Sequence, residues 1–515
     1  MKNIVALWLL SILLVSCTSV QKHNQHLETQ INPELLKNDV DFAYGKLQKL
    51  HPDLYAYIPK NKLDYKFDSL KKSIQKPMLP KEFYEKLAPV IAEVRQGHLG
   101  LSLPIKRYTK KDIKDIKNKK GLLGRYDFLI ENDKLFVIEN RDNLPNMSVG
   151  TEIIAINQEP VTEMLKRYKP RITSDGYNTT FHKYLLAKRW PAYFTIENGI
   201  LDSVQITTKY DNQLNTFYLK REIQTKQDIK TEKKEADKKY EEQKNKDYNA
   251  ITKSYNRNLE FLNKDSTIAV MTIKTFSGVR AKKFYKESFQ TLAKAKTKYL
   301  IIDVRNNFGG SLAEITNLYS YLGANQYPFI KDIEITNRWS MFYADYFRFF
   351  PNALKPLAVA LYPVYATSNL VSVKKENEIF YLKNNKFSKQ KPSKNQFSGE
   401  IFFLINGSSF SASSVLTSKM KADGKTFLVG EETGGANDGT VAGRYSTVKL
   451  PNSKLNLPIG LMLIQPNITP TNIQKGVVPD KEIVPTTQQI LDKNDMEMEW
   501  ILNEICNKNL VKCDT

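Results

Sequence analysis

Two short runs of this chain are apolar at nearly every position: Lys298-Tyr299-Leu300-Ile301-Ile302-Asp303-Val304 and Glu400-Ile401-Phe402-Phe403-Leu404-Ile405-Asn406. A strand with one wet face alternates apolar and polar residues, whereas a strand covered on both faces does not. Each run ends in a polar, glycine- or serine-rich turn. Each turn leads into a helical pattern, over 311–322 after the first run and through Met420 after the second. The segments Thr267–Ile273 and Thr426–Gly430 read as further strands, and Val279 to about Lys296 as an amphipathic helix. Alternation of strand and helix across 259–490 predicts an α/β domain around a sheet buried on both sides. In such sheets functional side chains gather where strands end and helices begin.

The rest of the chain is organised differently. Its 515 residues exceed one typical domain and imply roughly two or three. Residues 33–120 carry apolar side chains at helical spacing, such as Leu35, Leu36, Val40 and Leu47, then Phe83, Leu87, Ile91 and Val94. They read as a helical domain whose helices end at Gly97-His98, followed by a strand-like alternation over Leu99–Leu103. Residues 121–222 read as β-rich, with Asn157-Gln158 as a turn. Residues 225–256 mix Lys and Glu with few apolar residues, and 223–258 read as a charged, solvated insertion. Residues 324–398, aromatic and then basic, fit the α/β alternation poorly and read as another insertion. Residues 491–515 read as a C-terminal helix or tail, in which Cys506 and Cys513 could pair in an oxidising compartment.

The first seventeen residues read as an address. Lys2 precedes an apolar run from Ile4 to Val15, shorter than the ~20 residues a membrane span needs. The run ends in Leu14-Val15-Ser16-Cys17, which resembles a bacterial lipobox, where cleavage leaves Cys17 as a lipidated N-terminus. The alternative is a plain secretory signal with an incidental Cys. On either reading the mature chain is exported, and 18–32 read as a polar tether. The expected location is the bacterial cell envelope, lipid-anchored and facing the periplasm or the cell surface.

Composition excludes several classes. With 41% hydrophobic and 26% charged residues, the chain is neither collagenous, disordered nor polytopic. A formal charge of +22 raises nucleic acid, anionic lipid or acidic substrates as partners. The cations are scattered, with no zinc-finger spacing, RNP sequence or Arg-rich arm, so a Lys-rich surface is the reading and no nucleic acid is expected. Three cysteines exclude a disulfide-built scaffold.

Three motifs can carry chemistry. In Asn406-Gly407-Ser408-Ser409-Phe410-Ser411-Ala412-Ser413-Ser414 a buried strand turns sharply into a helix. A serine there sits beside free backbone N–H groups able to stabilise an oxyanion. Serine is equally a favoured helix cap, so turn chemistry alone explains the composition as well. In Asp303-Val304-Arg305-Asn306-Asn307-Phe308-Gly309-Gly310 two glycines allow close approach of a backbone to a ligand, with Asp303 and Arg305 as structural residues of the turn. In Gln96-Gly97-His98-Leu99-Gly100 a histidine stands at a glycine-flanked junction. Of five histidines, His23 and His26 lie in the tether, His51 ends a helix, and His182 has no supporting signal, leaving His98 as the candidate general base.

The order of these motifs resembles the S41 peptidases, the tail-specific or C-terminal processing proteases and their tricorn-core relatives. The run Gly150–Val161 resembles the late strand, turn and helix entry of a PDZ domain. Glu431-Glu432-Thr433-Gly434-Gly435 and Gly476-Val477-Val478-Pro479-Asp480 match later segments of the family. The resemblance implies an N-terminal helical domain, a PDZ-like domain over 121–222, and an α/β catalytic domain of the ClpP/crotonase-like kind over 259–490. It also implies that Ser411 is the nucleophile, and that the N–H of Ala412, with one from Gly309 or Gly310, forms the oxyanion hole. Polypeptide substrates are implied, and no metal or other cofactor; neither HExxH nor a P-loop is present.

The chain departs from the family's Ser–Lys dyad. Asp438 stands where the Lys is expected and Ala442 where a supporting Gln is expected. Lys419 is no substitute, because eight residues along a helix is about 12 Å of rise. The tricorn-like branch takes its base from a Gly-His segment, which His98 matches. The resemblance therefore implies a Ser411–His98 pair, with Glu431, Glu432 and Asp438 as candidate orienting acids. The expected activity is a serine endopeptidase acting on exported polypeptides. The alternative is a catalytically inactive, peptide-binding lipoprotein of the same fold.

Overall fold

The computed structural model describes residues 19–142, 144–223, 247–249, 254–323, 328–383, 391–470 and 474–509. The signal-like run with Cys17, most of the charged insertion and Cys513 lie outside the described residues. Cys506 is disulfide-bonded.

The two apolar runs lie side by side at the centre of a six-stranded sheet. Its order is Lys481–Glu482, Thr426–Gly430, Glu400–Ile405, Tyr299–Asp303, Ile268–Ile273 and Arg257–Phe261. All neighbours are parallel except the last pair. On one face Leu300, Ile302, Phe403 and Ile405 pack against the helices Ala281–Ala295, Leu312–Tyr319 and Ala412–Ala422. On the other, Ile301, Phe402 and Leu404 pack against Ile501 and Ile505 of the helix Met496–Asn509. The C-terminal segment thus supplies the second cover that continuous hydrophobicity demanded. The expected α/β class is borne out.

The β-rich segment forms a six-stranded antiparallel sheet between Tyr126 and Lys220. Asn157 and Gln158 both take positive φ (49° and 66°) in the tight turn between Glu152–Ile156 and Glu159–Pro160. The helix Thr180–Asn198 buries Leu186, Trp190 and Phe194 in the core of this sheet.

The N-terminal helices Pro33–Leu50, Lys60–Ser73 and Pro80–Ala92 form as their periodicity predicts, but they do not enclose a core of their own. Leu36, Val40 and Leu47 share one cluster with Leu450, Leu457, Ile459 and Leu461. Those four come from the hairpin Thr440–Lys449/Asn456–Ile464 and its turn. Buried Asp39 accepts the N–H groups of Asn452 (2.9 Å) and Ser453 (2.7 Å), tying the first helix to that turn. A carboxylate satisfied by backbone donors fixes one docking geometry, because removing its partners would strand a buried charge.

Three expectations change. The stretch read as a tether contains the helix Val20–Leu27, capped by Ser19 and held by reciprocal bonds between Asn24 and the Arg107 backbone. Leu99–Leu103 is not a strand; it makes one isolated bridge, Ser102 to Asn456. The described residues of 324–398 are structured rather than appended. Glu334–Ile335, Val373–Glu376 and Ile379–Leu382 join the hairpin above in a five-stranded sheet, and Lys355–Val371 is a helix beside it. Their two- and four-residue strands are too short to show periodicity.

Candidate active site

The serine-rich turn is resolved residue by residue. Ser409 Oγ donates to the Val304 carbonyl (2.8 Å), Ser413 Oγ to the Asn307 carbonyl (2.9 Å) and Ser414 Oγ to the Ser409 carbonyl (2.8 Å). These three serines stitch the second strand's turn to the first strand's turn. Ser411 is different. It sits at φ 58°, ψ −118°, a region rarely taken by residues with a side chain, at the entry to the helix Ala412–Ala422. Such an elbow lifts a side chain clear of the backbone at the end of a buried strand. The Ser411 hydroxyl meets His98 Nε2 at 2.9 Å, across 313 positions of sequence.

The imidazole is packed between aromatic rings, with centroids 4.9 Å from Phe410 and 6.2 Å from Tyr445. Burial pushes His98 down to about 4, so near neutral pH the ring is uncharged and can accept a proton. His98 is carried by the N-terminal segment, and Ser411 by the parallel sheet.

The glycine pair is sorted by hydrogen bonding. The Gly309 N–H donates to Asn307 Oδ1 (2.9 Å) and is therefore spent. Among the described residues the N–H groups of Gly310 and Ala412 have no hydrogen-bond partner. Gly309 passes so close to the elbow that a Cβ there would lie 2.7 Å from Ser411 Cβ and 2.9 Å from the Ala412 nitrogen. Its φ of 99° likewise requires glycine.

None of the three carboxylates proposed from the sequence hydrogen-bonds His98 among the described residues. Glu431 is held by Lys183 (2.6 Å), Tyr184 (2.8 Å) and the Gly407 N–H (3.2 Å). Glu432 accepts from the Gly476 N–H (2.6 Å) and Asn178 (3.2 Å). Both fix the loop around the elbow. Asp438 accepts from Tyr57 OH (3.2 Å), and burial pushes its carboxyl up. Lys419, fully buried, is paired with Asp423. Arg305 is clamped by Asp303 (2.8 Å) and Asp495 (2.7 Å), the structural role expected of that turn.

A carboxylate that sequence reasoning missed stands beside the histidine loop. Asp175 is fully buried, and its Oδ1 accepts the Gly97 N–H (2.6 Å) and Thr440 Oγ1 (3.4 Å). Its Oδ2 is buried with no hydrogen-bond partner among the described residues. Burial pushes Asp175 up to about 7. Thr173 Oγ1 donates to the Gly97 carbonyl (3.2 Å), so both backbone polar groups of the residue before His98 are held by one segment. The sequence signal was slight, a polar Ser174-Asp175-Gly176 turn with no spacing to distinguish it.

His98, Ser411, Gly310 and Ala412 open on a cavity of about 890 Å³. Leu312, Ile315, Met462, Ile464 and Asn369 are among the residues that line it. The arrangement sets a hydroxyl against an uncharged imidazole, with the Gly310 and Ala412 N–H groups free of hydrogen bonds among the described residues, beside a largely apolar cleft.

Residues 267–483 match the model of peptidase family S41. The solved structure of mature CPAF superposes with a TM-score of 0.59 at 15% identity, covering 91% of this chain and 96% of that one. Mature CPAF complexed with lactacystin gives 0.60 at 14% identity, covering 92% and 97%. At such identities these likenesses establish the fold. No curated protein matches the chain. The central sheet, the elbow and both glycines lie within residues 267–483, the segment that matches the model of peptidase family S41, and the fold around them is shared with mature CPAF along nearly the whole chain.

Proposed function

We propose that this chain is a serine endopeptidase in which Ser411 is the nucleophile and His98 the general base. The observation that carries the reading is the 2.9 Å contact between Ser411 Oγ and a neutral His98 Nε2. Ser411 Oγ attacks the scissile carbonyl carbon as its proton passes to His98 Nε2. The carbonyl electron pair moves onto oxygen and is held by the Gly310 and Ala412 N–H groups. Collapse breaks the C–N bond, and His98 returns the proton to the leaving amine. Water, deprotonated by the same ring, then cleaves the acyl ester. Casein, which is largely unfolded, is the test substrate; cleavage supports the reading. Absence of cleavage together with retained peptide binding would favour a binding-only protein. Asp438 in the family's Lys position favours that alternative, and a base supplied from His98 answers it.

Asp175 is assigned the role of positioning the His98 loop. An ionised Asp175 strengthens the Gly97 N–H bond and favours the imidazolium that forms during attack. Asp438, Tyr57 and Tyr445 are the other titratable groups facing it. The expected result is that kcat/KM of the wild type climbs as pH rises through about 7, where Asp175 ionises. Asp175→Asn keeps an acceptor for Gly97 and removes the charge, so its profile should be flat there, at the low-pH level. Stability runs the other way. A carboxyl raised in the folded state binds its proton longer than in the unfolded chain, so it costs stability as pH rises between about 4 and about 7. Asp175→Asn should lose that slope in a Tm-against-pH series. A variant that keeps both the wild-type activity limb and the stability slope would refute the assignment.

For location, the same proposal takes the chain to be exported and anchored through a lipidated Cys17. Mass analysis of the membrane-extracted mature chain should find a diacylglyceryl group on Cys17 as its first residue, and Cys17→Ala should abolish it.

A further inference from the structure

The helix Lys355–Val371 wears its aliphatic side outward. Ala358 and Asn369 are buried, and Tyr362 and Tyr365 lie on the same stripe, at the spacing of one helical face. That stripe is anchored: Arg444 donates to Tyr365 OH (2.8 Å) and Asn369 Oδ1 (3.1 Å), and Tyr346 packs on Tyr365 at 4.3 Å. The outer side carries Leu357, Leu361, Val364 and Val371, which are 55%, 45%, 68% and 68% exposed. Val359 and Leu354 flank them, and Trp339 and Phe347 stand exposed in the preceding turns. Scattered apolar residues on a surface need no explanation, but a contiguous set on one helix does.

Charge around this face has one sign. Between 338 and 372 the charged residues are Arg338, Arg348, Lys355 and Asp345. The three cations are exposed. Asp345 is turned inward, accepting the N–H (3.0 Å) and hydroxyl (2.5 Å) of Thr447, with Arg348 3.8 Å away. The adjoining hairpin contributes little net charge, since Lys374 pairs with Asp332 and Lys375 with Glu378. A second copy of this chain, apposed about a two-fold axis, would bring three exposed cations from each side into one apolar contact with no free carboxylate to meet them. A layer of anionic headgroups over acyl chains suits both the cations and the aliphatic stripe. At seventeen residues the helix is about 25 Å long, too short to span a bilayer. Among the described residues no helix is long and apolar enough to cross one.

We propose that the outward face of Lys355–Val371, with Trp339, Phe347 and the cations Arg338, Arg348 and Lys355, seats this protein on an anionic lipid surface. The helix would lie in the plane of the interface. Buried Asn369, and exposed Ser368 at the edge of the outward stripe, line the same cavity as Ser411. Seating would therefore present the cleft to polypeptides close to the bilayer.

The test uses the chain from Thr18 onward, which keeps every described residue and carries no lipid. It is sedimented with vesicles of phosphatidylcholine alone or mixed with phosphatidylglycerol. The expected result is co-sedimentation with the mixed vesicles that weakens as salt rises, and little with phosphatidylcholine alone. Leu361→Asp with Val364→Asp should abolish it, and reversing Arg348 and Lys355 to Glu should weaken it at least roughly tenfold. Unchanged circular dichroism and Tm show that the variants fold. The readout is binding, so it stands or falls independently of peptidase activity. Failure to bind mixed vesicles, or equal binding by the folded variants, would overturn the proposal. A wild-type dimer that Leu361→Asp with Val364→Asp turns into a monomer, without vesicle binding, would overturn it in favour of a second copy.

Discussion

Replacing Ser411 with Ala should lower kcat/KM for casein hydrolysis by about 10⁴-fold or more, and His98→Ala should do the same. The magnitude follows from the geometry. The hydroxyl at 2.9 Å from a neutral imidazole is the one serine of the elbow aimed at a base, while Ser409, Ser413 and Ser414 donate to backbone carbonyls. Removing either partner leaves the other without function, so the two losses should not add: Ser411→Ala with His98→Ala should be about as slow as either alone. Both side chains can be trimmed without stranding a buried charge, because the ring is uncharged near neutral pH. Tm should therefore move little. Ser413→Ala is the contrast. It loses a buried bond to the Asn307 carbonyl, which should cost about 1–3 kcal/mol of stability and far less activity. Full activity in Ser411→Ala would end the mechanism.

Gly309→Ala should be nearly as damaging, by another route. The added methyl has no room: its carbon would fall 2.7 Å from the Phe410 carbonyl oxygen and 2.7 Å from Ser411 Cβ, on a backbone at φ 99°. The neighbours are backbone atoms and a Cβ fixed to the backbone, and they cannot rotate aside. Conformational strain and overpacking together should cost roughly 2–5 kcal/mol. The shift that relieves them moves Ser411 and the Ala412 N–H, so kcat should fall about 10²-fold or more with a smaller change in KM. Gly45→Ala makes the opposite prediction. Gly45 lies inside the helix Pro33–Leu50 with nothing within 4 Å of the added carbon, and the change should stabilise by about 0.5–1 kcal/mol. Urea melts and steady-state kinetics on the pair separate the two effects. Equal stability and activity in both glycine variants would contradict the close approach.

Much of this was legible in the sequence where one physical constraint dominated. Leu300–Ile302 and Ile401–Ile405 had to be strands buried on both faces, and they are. The turn after each strand had to be glycine- or serine-rich to change direction so tightly. What escaped depends on contacts distant in sequence. Gly309 and Gly310 look alike in sequence, yet Asn307 Oδ1 occupies one N–H and leaves the other. Asp175 accepts the N–H of Gly97, 78 positions away, so no spacing could mark it. Glu431 and Glu432 sit in the right loop, but salt bridges, side chains and backbone donors claim them. The helices of 33–120 show their periodicity plainly; that their apolar stripes close on Leu457 and Leu461 is a tertiary fact. Residues 324–398 were unreadable for a related reason: the helix there turns its aliphatic face to solvent, reversing the pattern by which a surface helix is recognised.

The docking of the first helix onto the turn at Asn452 and Ser453 sets a schedule. His98 is made early in synthesis, but it meets Ser411 only after the chain has been completed through the hairpin that receives the N-terminal helices. Until then the Ser411 hydroxyl has no imidazole beside it and the helices have no core. A partly made chain therefore lacks both the Ser411–His98 contact and the walls of the cleft that the proposed hydrolysis needs, and the late hairpin is what completes them.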